Sequence, residues 1–264
     1  MTAPLLTAPI FIGGAPRSGT TLLRAIINAS GKIVCGPEAR IVPALCSLAS
    51  QIGHSKQGVL TRDYGLAPQA LEESFARAIA SFLAPLGRGG LRVAEKTPAN
   101  ALHFEQLRRL FPQSPLVTII RDPRDVVASL LEMDWIDAAT GRPMEITQDP
   151  AAAARLWVES IRAAFEMAGD ANFYALRYEA LAADPRAQIT ALFDFLGEPD
   201  GVEPALAHHA RFNAEEGEAE SSAQRVAQPI DIKACGRWKQ DLTTAQRDQV
   251  EAVAGSWMQR LDYV

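Results

Sequence analysis

The sequence is poor in the residues that build metal sites, disulfide frameworks and membrane spans. Its 264 residues include three cysteines and four histidines. Cys35, Cys46 and Cys235 form neither a CxxC pair nor a spacing typical of metal ligands, which argues against a disulfide scaffold and against a zinc site. The N-terminal segment MTAPLLTAPIFIGG has no basic stretch, and its apolar run is too short to span a bilayer. We therefore expect a cytoplasmic protein with no metal centre and no membrane anchor.

A strong excess of one charge is also missing. The chain has 31 acidic and 26 basic residues and a formal net charge of −5. A mildly acidic chain argues against nonspecific nucleic-acid binding, so we expect no nucleic-acid partner. The hydrophobic fraction of 48% and the charged fraction of 22% are ordinary for a globular protein. The length suits a single α/β domain over residues 1–264.

Short apolar runs alternate with segments in which apolar residues recur at helical spacing. Strands are predicted at residues 10–12, 32–35, 91–94, 116–120 and 172–177. Helices are predicted at 22–27, 38–52, 66–86, 101–111, 126–131, 150–168, 185–196 and 244–261. A loop is predicted at 54–63, and residues 201–240 show no regular pattern. The alternation predicts a parallel sheet with helices on both faces, a three-layer α/β fold.

The segment after the first predicted strand has the composition of a phosphate-binding loop. It runs Gly14-Ala15-Pro16-Arg17-Ser18-Gly19-Thr20-Thr21 and leads into a predicted helix. A glycine-rich turn at a helix start presents backbone N–H groups and the positive end of the helix dipole to an anion. Thr20 stands where nucleotide triphosphatases have a phosphate-binding lysine, which counts against a P-loop kinase or NTPase. The plainer alternative is a tight strand-to-helix turn without a ligand.

Arg121 and Ser129 form a second constellation. Arg121 ends the predicted strand 116–120 and Ser129 lies two turns into the next helix, so both can reach over the carboxyl edge of the sheet. A forked cation and a hydroxyl donor suit a phosphate monoester. The alternative is that Arg121-Asp122-Pro123-Arg124 is only a solvated capping cluster.

Together these motifs resemble the sulfotransferase family that uses 3′-phosphoadenosine 5′-phosphosulfate (PAPS). The segment Pro16-Arg17-Ser18-Gly19-Thr20-Thr21-Leu22 resembles the family's 5′-phosphosulfate loop, and Arg121 to Ser129 resembles its 3′-phosphate site. Within the family the sequence is most similar to the tyrosylprotein sulfotransferase branch. The segments that carry this similarity are Cys35-Gly36-Pro37-Glu38-Ala39-Arg40-Ile41-Val42-Pro43, Glu95-Lys96-Thr97-Pro98, Ser222, Pro229 and Arg237-Trp238. The resemblance implies a P-loop-like sulfotransferase fold.

The resemblance also implies a role for each site residue. Glu38 would be the general base that takes the acceptor's proton, and Arg40 would orient the acceptor or the sulfuryl group. Lys96 would neutralise charge on the leaving oxygen. Its implied helpers are Thr20, Thr21 and Ser222. The residues implied in binding the PAPS co-substrate are Arg17, Ser18, Gly19, Thr20, Thr21, Arg121, Ser129, Tyr178 and Arg237.

Plainer alternatives stand beside several of these roles. Glu38 could be a carboxylate that opposes the dipole at a helix N-terminus. Lys96 could be a solvent-facing lysine at a strand end. Tyr178 could be a half-buried core aromatic. The neighbours Ser221 and Ser222 lie in an acidic stretch, and the sequence leaves open which of them faces the site.

The expected reaction is sulfuryl transfer from PAPS to an acceptor hydroxyl, with 3′,5′-ADP as the other product and no metal. The leading acceptor is a phenol or a peptide tyrosine, and the alternative is a carbohydrate or small-metabolite hydroxyl. Cys35 has no nearby cysteine with which to form the branch's disulfide, which favours a reducing cytoplasm. Met133 stands where the family has another basic residue for the 3′-phosphate. A homodimer is compatible with the sequence.

Overall fold

The computed structural model describes residues 8–212 and 222–264 of the chain. Within them, parallel pairing joins five strands in the order β2-β3-β1-β4-β5. The strands are β1 (Ile10–Gly13), β2 (Ile33–Cys35), β3 (Arg92–Lys96), β4 (Leu116–Ile120) and β5 (Phe173–Arg177). Each predicted strand is present, and β3 extends further than predicted, to Lys96.

The strands β1 and β4 lie inside the sheet and are buried along their whole length. Side chains alternate along a strand, so Ile10 and Ile12 pack on one face of the sheet while Phe11 packs on the other. Both faces therefore need a covering layer of helices, and the three-layer α/β prediction is confirmed.

Helices connect the strands and cover both faces. In chain order they are α1 (Thr20–Ala29), α2 (Ile41–Tyr64), α3 (Pro68–Leu83), α4 (Phe104–Leu110), α5 (Pro123–Leu131), α6 (Pro150–Phe165), α7 (Tyr178–Ala183), α8 (Pro185–Leu196), α9 (Val202–Leu206), α10 (His208–Arg211), α11 (Ala223–Val226), α12 (Trp238–Asp241) and α13 (Thr244–Arg260). Short 3₁₀ turns occupy Ala84–Gly90, Pro98–His103, Glu145–Thr147, Pro199–Gly201 and Ile232–Ala234. One face is covered by α1, α7, α8 and α9. On the other, α2, α3 and α4 pack around Phe11, while α5, α6 and α13 pack around Ile120.

Aspartate–proline pairs start the helices α5, α6 and α8. The caps Asp122, Asp149 and Asp184 accept hydrogen bonds from backbone N–H groups of the first turn, and a proline follows each cap. Such a cap satisfies an N–H that has no partner within the helix, and proline has no N–H to satisfy. This local chemistry explains why the predicted starts of α6 and α8 are confirmed.

The predicted loop at residues 54–63 is wrong, because α2 continues through it to Tyr64. This half of α2 is largely exposed, so it has no apolar period from which a helix could be predicted. Its side chains bond along the helix instead, as Ser55 Oγ does to Gln51 O at 2.7 Å. The start of α2 also differs from the prediction, since the helix begins at Ile41.

Residues 201–240 contain the short helices α9 to α12 where they are described. None of these helices exceeds five residues, which is too short to show a helical period. The helix α7 also went unpredicted. Ser221 and the acidic residues Glu215, Glu216, Glu218 and Glu220 lie outside the described residues.

Cys35 and Cys46 are buried, and Cys235 is partly buried. Across residues 8–212 and 222–264, no helix combines the length and the apolar character needed to cross a bilayer. The same stretches contain no group of three or more histidine, cysteine or acidic side chains able to hold a metal ion. The extent of the domain, residues 1–264, stays a prediction.

Candidate active site

The carboxyl ends of the strands bring the predicted site residues to one edge of the sheet. The loop 14–19 follows β1, Lys96 is the last residue of β3, and Arg121 follows β4. Tyr178 follows β5, and Glu38 lies shortly beyond β2. Ligands of open α/β sheets bind outside this edge, where the strand order reverses. The parallel sheet therefore assembles the site from distant parts of the sequence.

The loop after β1 wraps tightly and presents the start of α1 to a cavity. Gly19 caps α1 with φ 106°, and a Cβ at this position would lie 2.7 Å from a ring carbon of Tyr178. Glycine meets both restrictions. Thr20 and Thr21 begin the helix, and N–H groups of a first helical turn have no acceptor within the helix. The loop thus has the shape and the donors of an anion cradle.

Arg17 projects from this loop into a cluster of hydroxyls and cations. Its Nε donates to Ser129 Oγ at 3.0 Å, and its Nη1 donates to Ser222 Oγ at 3.4 Å. Burial lowers the pKa of Arg17, and the charge of Arg121 lowers it further. Two cations, Arg17 and Arg121, thus lie close together beside these hydroxyls. The structure therefore brings the predicted residues Arg17, Ser129 and Ser222 together.

Arg121 is buried and stacks on Tyr178, with its guanidinium carbon 4.7 Å from the ring centroid. Its Nη1 donates to Arg17 O at 3.2 Å, and its Nη2 donates to Ala234 O. The solvated-cluster alternative is wrong, because every charged residue from Arg121 to Asp125 is buried. Tyr178 is only 7% exposed, so it is a core aromatic and also part of the site.

Glu38 and Lys96 form an ion pair on the other side of the loop. Lys96 Nζ lies 2.7 Å from Glu38 Oε1, and the lysine side chain is fully buried. The solvent-facing alternative for Lys96 is therefore wrong. Glu38 precedes Arg40, the N-cap of α2, so it is not a carboxylate of the first helical turn either. Arg40 is 82% exposed, and its Nε lies 4.0 Å from Glu38 Oε2.

A second network, which sequence analysis missed, fixes the turn after Lys96. Glu95 accepts hydrogen bonds from Thr97 Oγ1 at 2.6 Å and from Asn100 Nδ2. Asn100 Nδ2 also donates to Ile12 O at 3.1 Å. Burial raises the pKa of Glu95, while these hydrogen bonds favour its charged form. The network ties the end of β3 to β1, and so ties Lys96 to the anion cradle.

One cavity of about 1200 Å³ joins the ion pair to the arginine cluster. The predicted site residues that line it are Arg17, Gly19, Thr20, Thr21, Glu38, Arg40, Arg121, Ser129, Tyr178, Ser222 and Arg237. Lys96 is fully buried and contacts Glu38. Ser18 is also fully buried, and its N–H donates to Ala15 O at 3.2 Å. The implied contact of Ser18 with the co-substrate stays a prediction that this geometry does not favour.

Arg237 lines the cavity while bonded to the carboxylates of Glu132 and Asp241. Burial acts against its charge, but these acids outweigh that effect and raise the pKa of Arg237. Arg237 therefore stays cationic, and a phosphate would share it with the two acids.

An apolar wall of the same cavity was also missed. Its side chains are Pro43, Pro98, Ala99, Trp135, Ile136, Met144, Ile146 and Leu156. The turn Pro98–His103, which follows Lys96, packs against α6, the helix that carries Leu156. Part of this wall therefore lies on the side of the ion pair. Its residues come from separate elements and share no period, so no sequence pattern groups them.

Comparisons with known proteins agree with this geometry. A sequence profile described as Sulfotransferase family matches residues 9–204. Protein-tyrosine sulfotransferase A of Caenorhabditis elegans is 28% identical over 237 residues. The aligned region covers 88% of this chain but only 61% of that protein, so the chain spans less than two thirds of this relative.

Solved structures share the fold. The sulfotransferase domain from the Synechococcus PCC 7002 olefin synthase superposes with a TM-score of 0.62 at 22% identity, over 96% of this chain and 98% of that chain. A mouse sulfotransferase complexed with PAP superposes with a TM-score of 0.55 at 17% identity, over 96% of this chain and 84% of that chain. The prediction of a P-loop-like sulfotransferase fold is confirmed.

Proposed function

The chain belongs to the sulfotransferase family of PAPS-dependent transferases, and we propose that it moves a sulfuryl group from PAPS to a phenolic or peptide-tyrosine hydroxyl. In this proposal Glu38 is the general base. The observation that carries the proposal is the Glu38–Lys96 ion pair beside an anion cradle. A base and a buried cation next to a site for anions are the groups that sulfuryl transfer requires.

PAPS is the donor in this proposal because the cavity offers separate places for its anionic groups. The loop around Gly19 and the start of α1 suit the phosphosulfate. Arg17, Arg121 and Ser129 suit the 3′-phosphate, since they combine cations with a hydroxyl. The mouse structural neighbour is complexed with PAP, the nucleotide that PAPS leaves after transfer. Tyr178 and Arg237 complete the nucleotide side of the cavity.

Glu38 is suited to accept the acceptor's proton. It lines the cavity, its side chain is 24% exposed, and it forms an ion pair with Lys96. Oε1 lies 2.7 Å from Lys96 Nζ, and Oε2 lies 4.0 Å from Nε of the exposed Arg40. In the proposal Oε2 receives the proton, and Arg40 orients the acceptor at the mouth of the cavity.

Lys96 is suited to the leaving side of the reaction. It is a fully buried cation, and low-dielectric surroundings strengthen its effect on developing negative charge. Bound PAPS supplies the sulfuryl group and the phosphate oxygen from which that group departs. Lys96 would stabilise this oxygen, and the hydroxyls of Thr20, Thr21 and Ser222 would donate to the transferring group.

The apolar wall supports an aromatic acceptor. A phenol ring can pack against Pro98, Ala99 and Leu156 near the ion pair, whereas a sugar would place polar hydroxyls against this surface. The C. elegans relative is named a protein-tyrosine sulfotransferase, which agrees with a phenolic oxygen as acceptor. A cytoplasmic location, a homodimer and the absence of a metal stay predictions from the sequence.

A screen of acceptors with sulfur-labelled PAPS tests the proposal. We expect label transfer to simple phenols or tyrosine peptides and not to sugars. Calorimetry on the same protein should show 3′,5′-ADP binding without Mg²⁺ and no comparable binding of ATP with Mg²⁺. Transfer only to sugars would overturn the acceptor class. ATP binding with Mg²⁺ in the absence of 3′,5′-ADP binding would overturn the donor and favour a kinase or NTPase.

A further inference from the structure

Asp125 accepts hydrogen bonds in a way that its place on α5 does not explain. It is the third residue of a helix whose cap is Asp122, the position from which the longer Glu or Gln side chain often bonds back to the N–H of the cap. In this protein the N–H of Asp122 donates instead to Glu179 Oε1 at 2.8 Å. The carboxylate of Asp125 therefore accepts hydrogen bonds from another segment.

That segment is the strap, which we define as residues 234–238. Asp125 Oδ2 accepts from Gly236 N at 2.7 Å, and Oδ1 accepts from Trp238 N at 3.0 Å. The positive φ of Gly236, 75°, is one that glycine adopts without strain. The two amides that flank Arg237 are thus both bonded to one buried carboxylate, whose residue is 1% exposed.

Two arginines of the same turn add to this attachment. Arg121 Nη2 donates to Ala234 O, and its Nη2 lies 3.9 Å from Asp125 Oδ2. The guanidinium of Arg124 lies 4.1 Å from the centroid of the indole ring of Trp238. The turn after β4 therefore contacts the strap at the carbonyl of Ala234, at the amides of Gly236 and Trp238, and at the indole ring of Trp238.

We infer that Asp125 is a positioning residue that holds the strap so that Arg237 lines the nucleotide side of the cavity. The inference rests on the proposed function, since it gives Arg237 a nucleotide phosphate to bind. A fixed backbone matters here because the carboxylates of Asp241 and Glu132 also bond to the guanidinium of Arg237 and compete with a phosphate for it. The fixed backbone on either side of Arg237 keeps its guanidinium at the cavity while these acids share it.

The test is a double-mutant cycle on Asp125→Asn and Arg237→Ala, read as 3′,5′-ADP affinity by calorimetry. Each single change should weaken binding on the order of tenfold, as expected for a lost charged contact. Asp125→Asn should add little in the Arg237→Ala background, because residues that act through one contact are not additive. Asp248→Asn, an exposed change on α13, is the matched control and should leave affinity unchanged.

Amide hydrogen exchange supplies a second readout. In Asp125→Asn we expect the N–H groups of Gly236 and Trp238 to exchange on the order of tenfold faster, while those of β4 keep their protection. If Asp125→Asn does not fold, Asp125→Glu keeps the charge and displaces the carboxylate, and the same readouts apply.

The outcomes separate the two proposals. Fully additive effects, or faster exchange with unchanged affinity, would overturn the role of Asp125 while leaving the proposed function intact. A wild-type protein that does not bind 3′,5′-ADP would overturn the proposed donor, and with it the nucleotide role of Asp125. Unchanged exchange at Gly236 and Trp238 would overturn the attachment itself.

Discussion

The two sides of the cavity handle charge differently. On the side of β2 and β3, the buried Lys96 forms a short ion pair with Glu38. On the side of β4 and β5, Arg17 donates to serine hydroxyls and Arg121 donates to backbone carbonyls. The charge of Arg121 also lowers the pKa of Arg17.

This difference assigns separate tasks to the two sides. An acid–base pair can exchange a proton and stabilise a leaving oxygen, so its loss should reduce turnover. Arg17 and Arg121 supply positive charge on the nucleotide side of the cavity, so their loss should reduce affinity for an anion. Variants on the two sides should therefore be separable by kcat and by 3′,5′-ADP binding.

Among Lys96→Met, Arg121→Ala and Leu156→Ala, the largest effect is expected for Lys96→Met. Turnover should fall roughly 10²–10³-fold, as when a donor to developing negative charge is removed. Affinity for 3′,5′-ADP should be largely retained, because Lys96 lies on the side of the cavity to which we assign the chemical step. Steady-state kinetics with labelled PAPS and calorimetry measure the two quantities. Lys32→Met, an exposed change ahead of β2, is the control. Lost affinity for 3′,5′-ADP with normal turnover would contradict the separate tasks of the two sides.

A smaller effect, confined to binding, is expected for Arg121→Ala. Loss of a charged contact should weaken 3′,5′-ADP binding roughly 10–10²-fold while turnover at saturating PAPS changes less. Calorimetry measures the affinity. Arg108→Ala is a matched control, because Arg108 bonds Asp170 and the carbonyl of Ser114 ahead of β4 and β5, at the opposite edge of the sheet. Intact binding in Arg121→Ala would mean that the 3′-phosphate binds elsewhere.

The smallest effect is expected for Leu156→Ala on the apolar wall. The KM for a phenolic acceptor should rise about tenfold, since several buried methyl and methylene groups no longer contact the ring. Affinity for 3′,5′-ADP should not change. Leu48→Ala, at a residue that is 45% exposed on α2, is the control. If the dissociation constant of 3′,5′-ADP rose and the KM for the phenolic acceptor did not, this part of the wall would contact the nucleotide instead of the acceptor.

The sequence predicts what is local and periodic in this fold. Local sequence predicts the buried runs of β1 and β4 and the aspartate–proline starts of α6 and α8, because each depends on neighbouring residues. The exposed half of α2 is not visible, since it lacks an apolar face. The short helices of 201–240 depend on contacts with distant segments rather than on their own pattern.

The candidate site divides in the same way. Residues of the loop around Gly19 were predicted because they are adjacent in the chain. The burial of Lys96 and its contact with Glu38 join residues far apart in sequence, so they needed the fold. Asp125 stood in a visible motif, but its bonds to Gly236 and Trp238 could not be predicted from local spacing.

The most direct test of the account is the turnover of Glu38→Gln with labelled PAPS and the best phenolic acceptor. The amide keeps the shape of the side chain but cannot take the acceptor's proton, so turnover should fall roughly 10²–10⁴-fold with 3′,5′-ADP affinity unchanged. Glu105→Gln, at an exposed residue paired with Arg109, is the control and should behave as wild type. Wild-type turnover in Glu38→Gln would contradict the account.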